Sequence, residues 1–441
     1  MYQNQNQNQN RTSSFSDPPL NSLLFPRTQR AIPMQMATTM DDLPDGLQVE
    51  ILHRLPLKSA FQCKSVKKRW YSLISTSHFV NRFVSHCEKV EVNRPFSFIY
   101  HYLRKARLFF VSSNEIEFKC FKSLASKNMI QELVGQHNES IDFSVQASCN
   151  EMLLCCANNV DVGDDGLSHP MSIYYLINPI TMQWLALPPV PQWGRPLVGF
   201  ICFYDNDRKQ LSYRVVRILP INNDKMEIKV DMFSSDSGEW NKSLEVCPQV
   251  FDWNLFALAG VAYDGLLFWY GKTAHNKQLV GCDPYNFRFF ELPIQMEHPI
   301  KCLGVCRGSL RICEMPSNEH SFFRIWELKD FVKEGKKGGT WCLEHEVYFD
   351  QITLKKSTCL AQYLGEGFHV EAVLAFHPND GDILYLLIKT KFVVLCNMRE
   401  KTLQVIYDVP VPSNVDKEFK VLTSVLPWWP TLIPSPMQDA A

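Results

Sequence analysis

The 441-residue chain has no surplus of either charge: 45 Lys and Arg stand against 46 Asp and Glu, a formal net charge of -1. Nothing in that balance draws the whole molecule toward nucleic acid or an anionic membrane. Long hydrophobic runs are missing too. The longest apolar-leaning stretch, residues 255–270, is too short to span a bilayer and contains Asp264. The N-terminus lacks the apolar segment of a secretory signal, so the chain is expected in the cytoplasm, the nucleus or both. Signatures of catalysis are also absent: no HExxH zinc motif, P-loop, GxGxxG turn or GxSxG elbow occurs. Cys302, Cys306 and Cys313 lack the CxxC pairing of a structural zinc site. Residues 161–166 and 379–382 are rich in Asp and Gly but lack the terminal Glu of an EF-hand, and read as hairpin turns. The twelve histidines form no recognisable nucleophile–base set. No cofactor, metal, nucleic acid or membrane partner is expected.

What the chain does have is apolar material, at 46 % of residues, enough for a sizeable core. Fifteen cysteines, an odd number, are scattered along it, and Cys155, Cys156, Cys202, Cys282 and Cys396 sit inside apolar runs. They are expected to be reduced and to pack as small hydrophobes.

The texture changes along the sequence. Residues 1–39 begin with a Gln/Asn alternation followed by Ser, Thr and Pro, a composition unable to offset its own ordering entropy, so a disordered tail is expected. Residues 40–87 read as a small helical module. Pro44 suits a helix start, with Asp41 and Asp42 near its positive end. Leu43, Leu47, Ile51 and Leu55 recur every fourth residue, and Val49 and Leu52 widen the apolar area beyond that stripe. Two further short helices follow Pro56, the last with Trp70, Leu73 and Ile74 inward. A unit this small makes a poor core alone, and apolar residues on more than one face ask for a partner.

From residue 95 to 430, short runs of Val, Ile, Phe, Tyr and Leu alternate with turn clusters, the pattern of an all-β domain. A degenerate repeat runs through it: an apolar strand, a polar turn, then a second strand carrying an aromatic and closing on a Pro. Residues 173–188, 230–248, 279–293 and 393–410 follow it. A period of roughly 40–50 residues in an all-β chain marks a β-propeller, here with six or seven blades. Trp184, Trp240 and Trp269 are expected in blade cores. Residues 431–441 read as a C-terminal tail.

Two resemblances follow. Leu43-Pro44-Asp45-Gly46-Leu47, Glu50-Ile51-Leu52, Arg54-Leu55-Pro56-Leu57-Lys58-Ser59, Cys63-Lys64-Ser65-Val66-Lys67-Lys68-Arg69-Trp70 and Ser72-Leu73-Ile74 resemble an F-box of the plant type. More loosely, the motifs around Asn150, Asn178-Pro179, Asp264-Gly265 and Arg307-Gly308, with Pro427-Trp428-Trp429-Pro430-Thr431, resemble the F-box-associated, kelch-like domains of plant F-box proteins.

These resemblances imply the non-catalytic substrate receptor of an SCF-type ubiquitin ligase. The F-box would bind a Skp-family adaptor, which bridges to cullin and RING subunits, and the propeller would hold a protein substrate. Leu43, Pro44, Ile51, Leu52, Leu55 and Trp70 are the expected adaptor-facing residues. Leu47 and Leu73 are assigned to the module's own core. Residues 188–196 form a stiff, proline-rich loop whose Trp193 and Arg195 are the candidate substrate contacts.

Three alternatives compete. Lys64, Lys67, Lys68 and Arg69 on a helical unit would suit a DNA reader, but seven basic against four acidic residues over 41–87 leave only 7 − 4 = +3. A propeller enzyme would need a convergent polar set, which the sequence does not display. An F-box scaffold acting outside ubiquitination shares the same adaptor.

Overall fold

The computed structural model describes residues 39–90, 96–102, 105–112, 142–160, 170–178, 181, 183–192, 196–205, 210–220, 227–246, 251–252, 260–273, 277–283, 286–316, 321–332, 338–355, 370–389, 392–408, 419–425, 429 and 433. Apart from Thr39, the expected disordered tail lies outside them, as does the turn at 161–166. So do Trp193, Arg195 and, save Ile433, the C-terminal tail. The described residues divide into two compact units, the first ending at Ile51 and the second beginning at Leu52.

In the first unit, a single 3-10 turn (Met40–Asp42) leads into α1 (Asp45–Leu52). Pro44 has no N–H to lose, and its carbonyl accepts the first helical bonds, from the N–H groups of Leu47 (3.0 Å) and Gln48 (3.1 Å). The second unit opens with α2 (Leu57–Cys63), α3 (Lys68–Ile74) and α4 (Ser77–Val90). Pro56 caps α2, as its fixed φ and missing donor favour. No helix among the described residues is long and apolar enough to cross a membrane.

The strands then fall into six sheets among the described residues. The first begins with β1 (Phe96–Tyr102) and β2 (Lys105–Ser112). The second holds β3 (Asp142–Cys149), β4 (Met152–Val160), β5 (Met171–Asn178) and β6 (Gln183–Ala186), with β7 (Val190–Pro191) also on β5. The third runs β8 (Leu197–Asp205), β9 (Gln210–Pro220), β10 (Glu227–Ser234), β11 (Glu239–Val246). The fourth contains β12 (Phe251–Asp252), β13 (Val261–Tyr263), β14 (Leu266–Thr273), β15 (Lys277–Asp283) and β16 (Asn286–Glu291). The fifth runs β17 (Ile300–Cys306), β18 (Ser309–Glu314), β19 (Phe322–Lys329), β20 (Thr340–Tyr348). The sixth holds β21 (Thr353–Leu354), β22 (Val370–Phe376), β23 (Ile383–Ile388), β24 (Phe392–Asn397) and β25 (Thr402–Asp408). The last strand, β26 (Phe419–Val425), returns to pair antiparallel with β1, Ser424 opposite Ser97.

The neighbour order closes on itself. β26 adjoins β3, β3 adjoins β8, β8 adjoins β13, β13 adjoins β17, β17 adjoins β22, and β22 adjoins β26. This is a β-propeller, and the strands that face one another around the ring are the innermost of each sheet. Pairing the last strand with the first closes the ring without leaving its two ends as open seams.

Apolar faces meet between successive sheets. Tyr174 and Leu176 pack with Phe200, Tyr213 and Phe233; Val216 and Ile218 with Leu267 and Trp269; Phe268 with Ile312 and Trp326; Phe323 and Ile325 with Leu384 and Val394. Phe96 joins Tyr385 and Val393 at the seam. The cysteines serve here as expected. Cys302, Cys306, Cys313 and Cys396 are buried between the fifth and sixth sheets, and burial pushes the Cys302 and Cys396 thiols up to about 12.

The four repeat segments coincide with β5–β6, β10–β11, β15–β16 and β24–β25, two consecutive strands in each of four sheets. Trp269 is buried at 1 %, as expected, and an added Cβ at Gly199 would lie 2.5 Å from its ring. Trp184 departs from expectation. It is 46 % exposed on the outer strand β6, whose alternate side chains face solvent.

Candidate adaptor-docking surface

The candidate corner is built from its cap upward. Thr39 donates its backbone N–H (2.8 Å) and its hydroxyl (3.0 Å) to Asp42 Oδ2, while the Asp42 N–H donates to the Thr39 carbonyl (3.1 Å). This reciprocal box fixes the entry to the helix. The Thr39 backbone and side-chain donors hold the Asp42 carboxyl below its ordinary range.

Next comes Leu43-Pro44. Leu43 is half-buried and Pro44 exposed. The buried side chain of Gln48 donates from Nε2 to the Leu43 carbonyl at 2.9 Å, tying the corner to the first turns of α1. No sequence argument singled out Gln48. The available signal was an amide in an otherwise apolar segment, five residues after the corner.

Helix α1 carries apolar side chains on two faces. Gln48, Val49 and Leu52 are buried, Leu52 at 1 % exposure. Leu47 and Ile51, one turn apart on the other face, are 52 % and 41 % exposed. Two expectations are therefore corrected. Leu52, expected to face a partner, lies on the buried face, and Leu47, assigned to the core, points outward. At 100° per residue, positions 48, 49 and 52 share one side of the helix and 47 and 51 the other. Because both sides are apolar, periodicity did not select which would be covered.

In the second unit, Leu55 and Leu73 are half-buried. Trp70 is also half-buried, with Lys67 Nζ 5.8 Å from its ring. Val66 and Tyr71 are each 58 % exposed. Of the basic cluster, Lys67, Lys68 and Arg69 are exposed. Lys64 instead lies over Phe61 (5.0 Å) and Trp429 (5.2 Å), and desolvation lowers its pKa. Among the described residues, no group of three or more His, Cys, Asp or Glu side chains is placed to hold a metal ion.

Comparison with known families places this geometry. The profile described as "F-box protein At3g26010-like, beta-propeller" matches residues 108–423. The chain belongs to that family. An F-box domain profile matches residues 40–82, from the 3-10 turn into α4, so the helical segment is the F-box and the six sheets are the At3g26010-like propeller. The F-box protein At3g26010 of Arabidopsis thaliana is 23 % identical over 452 residues, covering 90 % of this chain and 91 % of the relative. The F-box protein At5g07610 of the same plant is 22 % identical over 339 residues, covering 72 % of each chain. The putative F-box/kelch-repeat protein At4g22430 is 26 % identical over 362 residues, covering 79 % of this chain and 76 % of the relative.

Proposed function

We propose that this chain is the substrate-recognition subunit of an SCF-type ubiquitin ligase. The observation that carries the proposal is the presence, in one chain, of an F-box at 40–82 and the propeller of F-box proteins at 108–423. F-box domains generally bind Skp1-type adaptors. In this reading Leu43, Pro44, Leu47 and Ile51 insert into a Skp-family adaptor, with Leu55 and Trp70 as further contacts. The adaptor links the chain to cullin and RING subunits and a ubiquitin-conjugating enzyme. The propeller holds a protein substrate, with Trp193 and Arg195 as candidate contacts. The receptor breaks and forms no bond itself. Its contribution is effective concentration, keeping substrate lysines near an activated ubiquitin thioester. It works where thiols stay reduced, in the cytoplasm or nucleus.

The test is a pull-down of a purified Skp-family adaptor by the full chain and by a Leu43→Ala, Pro44→Ala double variant. The proposal predicts capture by the first and loss of capture by the second, with the propeller's melting unchanged. Deleting residues 40–87 should also lengthen the lifetime of proteins captured by the propeller in cells. Lifetimes unaffected by that deletion, with adaptor binding intact in the parent, would favour a scaffold outside ubiquitination.

A further inference from the structure

Trp429 follows the last strand of the propeller, yet its ring sits among the helices that precede the first. Its centroid lies 5.0 Å from that of Phe83 and 5.6 Å from that of Phe79, both edge-on, and 6.1 Å from that of Phe61. Lys64 Nζ stands 5.2 Å from the same ring. Phe79 and Phe83, on α4, are fully buried and stacked at 6.1 Å. α4 and α2 therefore meet around a side chain supplied from the other end of the sequence.

The neighbouring positions tie that side chain to the propeller on both sides. Four residues earlier ends β26, hydrogen-bonded to β1 along its whole length. Four residues later, Ile433 donates its backbone N–H to Gln183 Oε1 at 3.2 Å and packs against the core between the second and third sheets. α4 also precedes β1 by only five residues, 91–95. The path from α4 to β1, across to β26, on to Trp429 and back to α4 is a closed circuit. A helix pair joined to the sheets by one chain segment could swing about it. The same pair held also by an aromatic anchor cannot move without exposing Phe79, Phe83 and Trp429 to water.

We infer that Trp429 is a positioning residue, a latch that locks α2 and α4 of the F-box onto the propeller and so fixes the direction in which a bound substrate is presented. The latch stands on contacts within this chain. Only the consequence for substrate presentation rests on the ligase reading. It is also distinct from the docking corner, since none of its residues is among the exposed positions of α1.

The test is amide hydrogen exchange on the full-length protein, with and without a saturating purified Skp-family adaptor, comparing the parent with Trp429→Ala, Trp429→Leu and Trp429→Phe. The latch predicts that Trp429→Ala speeds exchange in α2 and α4 at least tenfold while protection in the second to sixth sheets stays within twofold. Trp429→Phe should restore most of the helical protection. Small-angle scattering of the adaptor complex should show a wider distribution of dimensions for Trp429→Ala than for the parent. Where the alanine variant does not fold, Trp429→Leu, which keeps bulk but loses the ring, takes its place and should show the same selective loss. Unchanged exchange in α2 and α4, or equal loss in helices and sheets, would overturn the latch. Selective loss in a protein that binds no adaptor would leave the latch standing and remove the ligase reading instead.

Discussion

Arg217 on β9 and Asp231 on β10 face each other across the strands, Nη1 to Oδ2 at 3.5 Å, with side chains 0 % and 1 % exposed. Arg217 Nη2 donates to the Pro191 carbonyl at 3.0 Å, and its guanidinium lies 5.6 Å from the Tyr174 ring and 6.0 Å from the Trp240 ring. The pair thereby fastens the third sheet to β7, within the 188–196 loop. Removing one partner strands the other charge in an apolar setting, at a cost of about 3–5 kcal/mol, whereas replacing both with apolar residues costs far less. Chemical denaturation of Asp231→Ala, Arg217→Met and the double variant checks this. The expected result is a double variant more stable than either single one.

His377 gives the propeller a pH dependence. Its Nδ1 accepts from the N–H groups of Asn379 (3.1 Å) and Asp380 (2.9 Å), which requires a neutral ring, and it packs against Phe96 with centroids 4.6 Å apart. Burial lowers its pKa, outweighing the attraction of Asp380, and His345 shifts in the same direction for the same leading reason. A histidine whose folded pKa lies below its unfolded value of about 6.5 gives its full stability above that pH and loses it as pH falls. The melting temperature should therefore drop between pH 7.5 and 5.5. His377→Asn, whose carbonyl oxygen can replace Nδ1 as acceptor, should show a smaller drop.

Gln48 predicts a link between a buried amide and an exposed corner. Gln48→Met keeps the volume but removes the donor to the Leu43 carbonyl. A lost hydrogen bond of this kind is worth about 1 kcal/mol, or about fivefold in an equilibrium constant. Calorimetric titration with a purified Skp-family adaptor should show that loss of affinity while the propeller's melting stays put.

The sequence was most legible where local pattern and tertiary role coincide. The aromatic, proline-ended repeats were visible because β5–β6, β10–β11, β15–β16 and β24–β25 are hairpins whose strand and turn signals lie next to one another. Asp264-Gly265 and Arg307-Gly308, noted in the sequence only as motifs of the resemblance, take positive φ at both positions, as tight two-residue hairpin turns require. Ring closure was not legible. Phe96 meets Val425 across more than three hundred residues, and no local signal encodes that pairing. The two faces of α1 were ambiguous for a different reason, since Leu47 and Leu52 are chemically alike and only tertiary packing decides which is covered. Trp429 was visible as part of a motif, but its place among Phe61, Phe79 and Phe83 was not.

The central claim is that the outward face of α1 docks an adaptor, and calorimetry on the full-length chain tests it most directly. Leu47→Asp and Ile51→Asp should each weaken binding of a purified Skp-family adaptor by at least about a hundredfold while leaving the melting midpoint unchanged, because both side chains already face water. Leu52→Ala should instead lower stability by about 2–5 kcal/mol. Parental affinity retained in both aspartate variants would contradict the account.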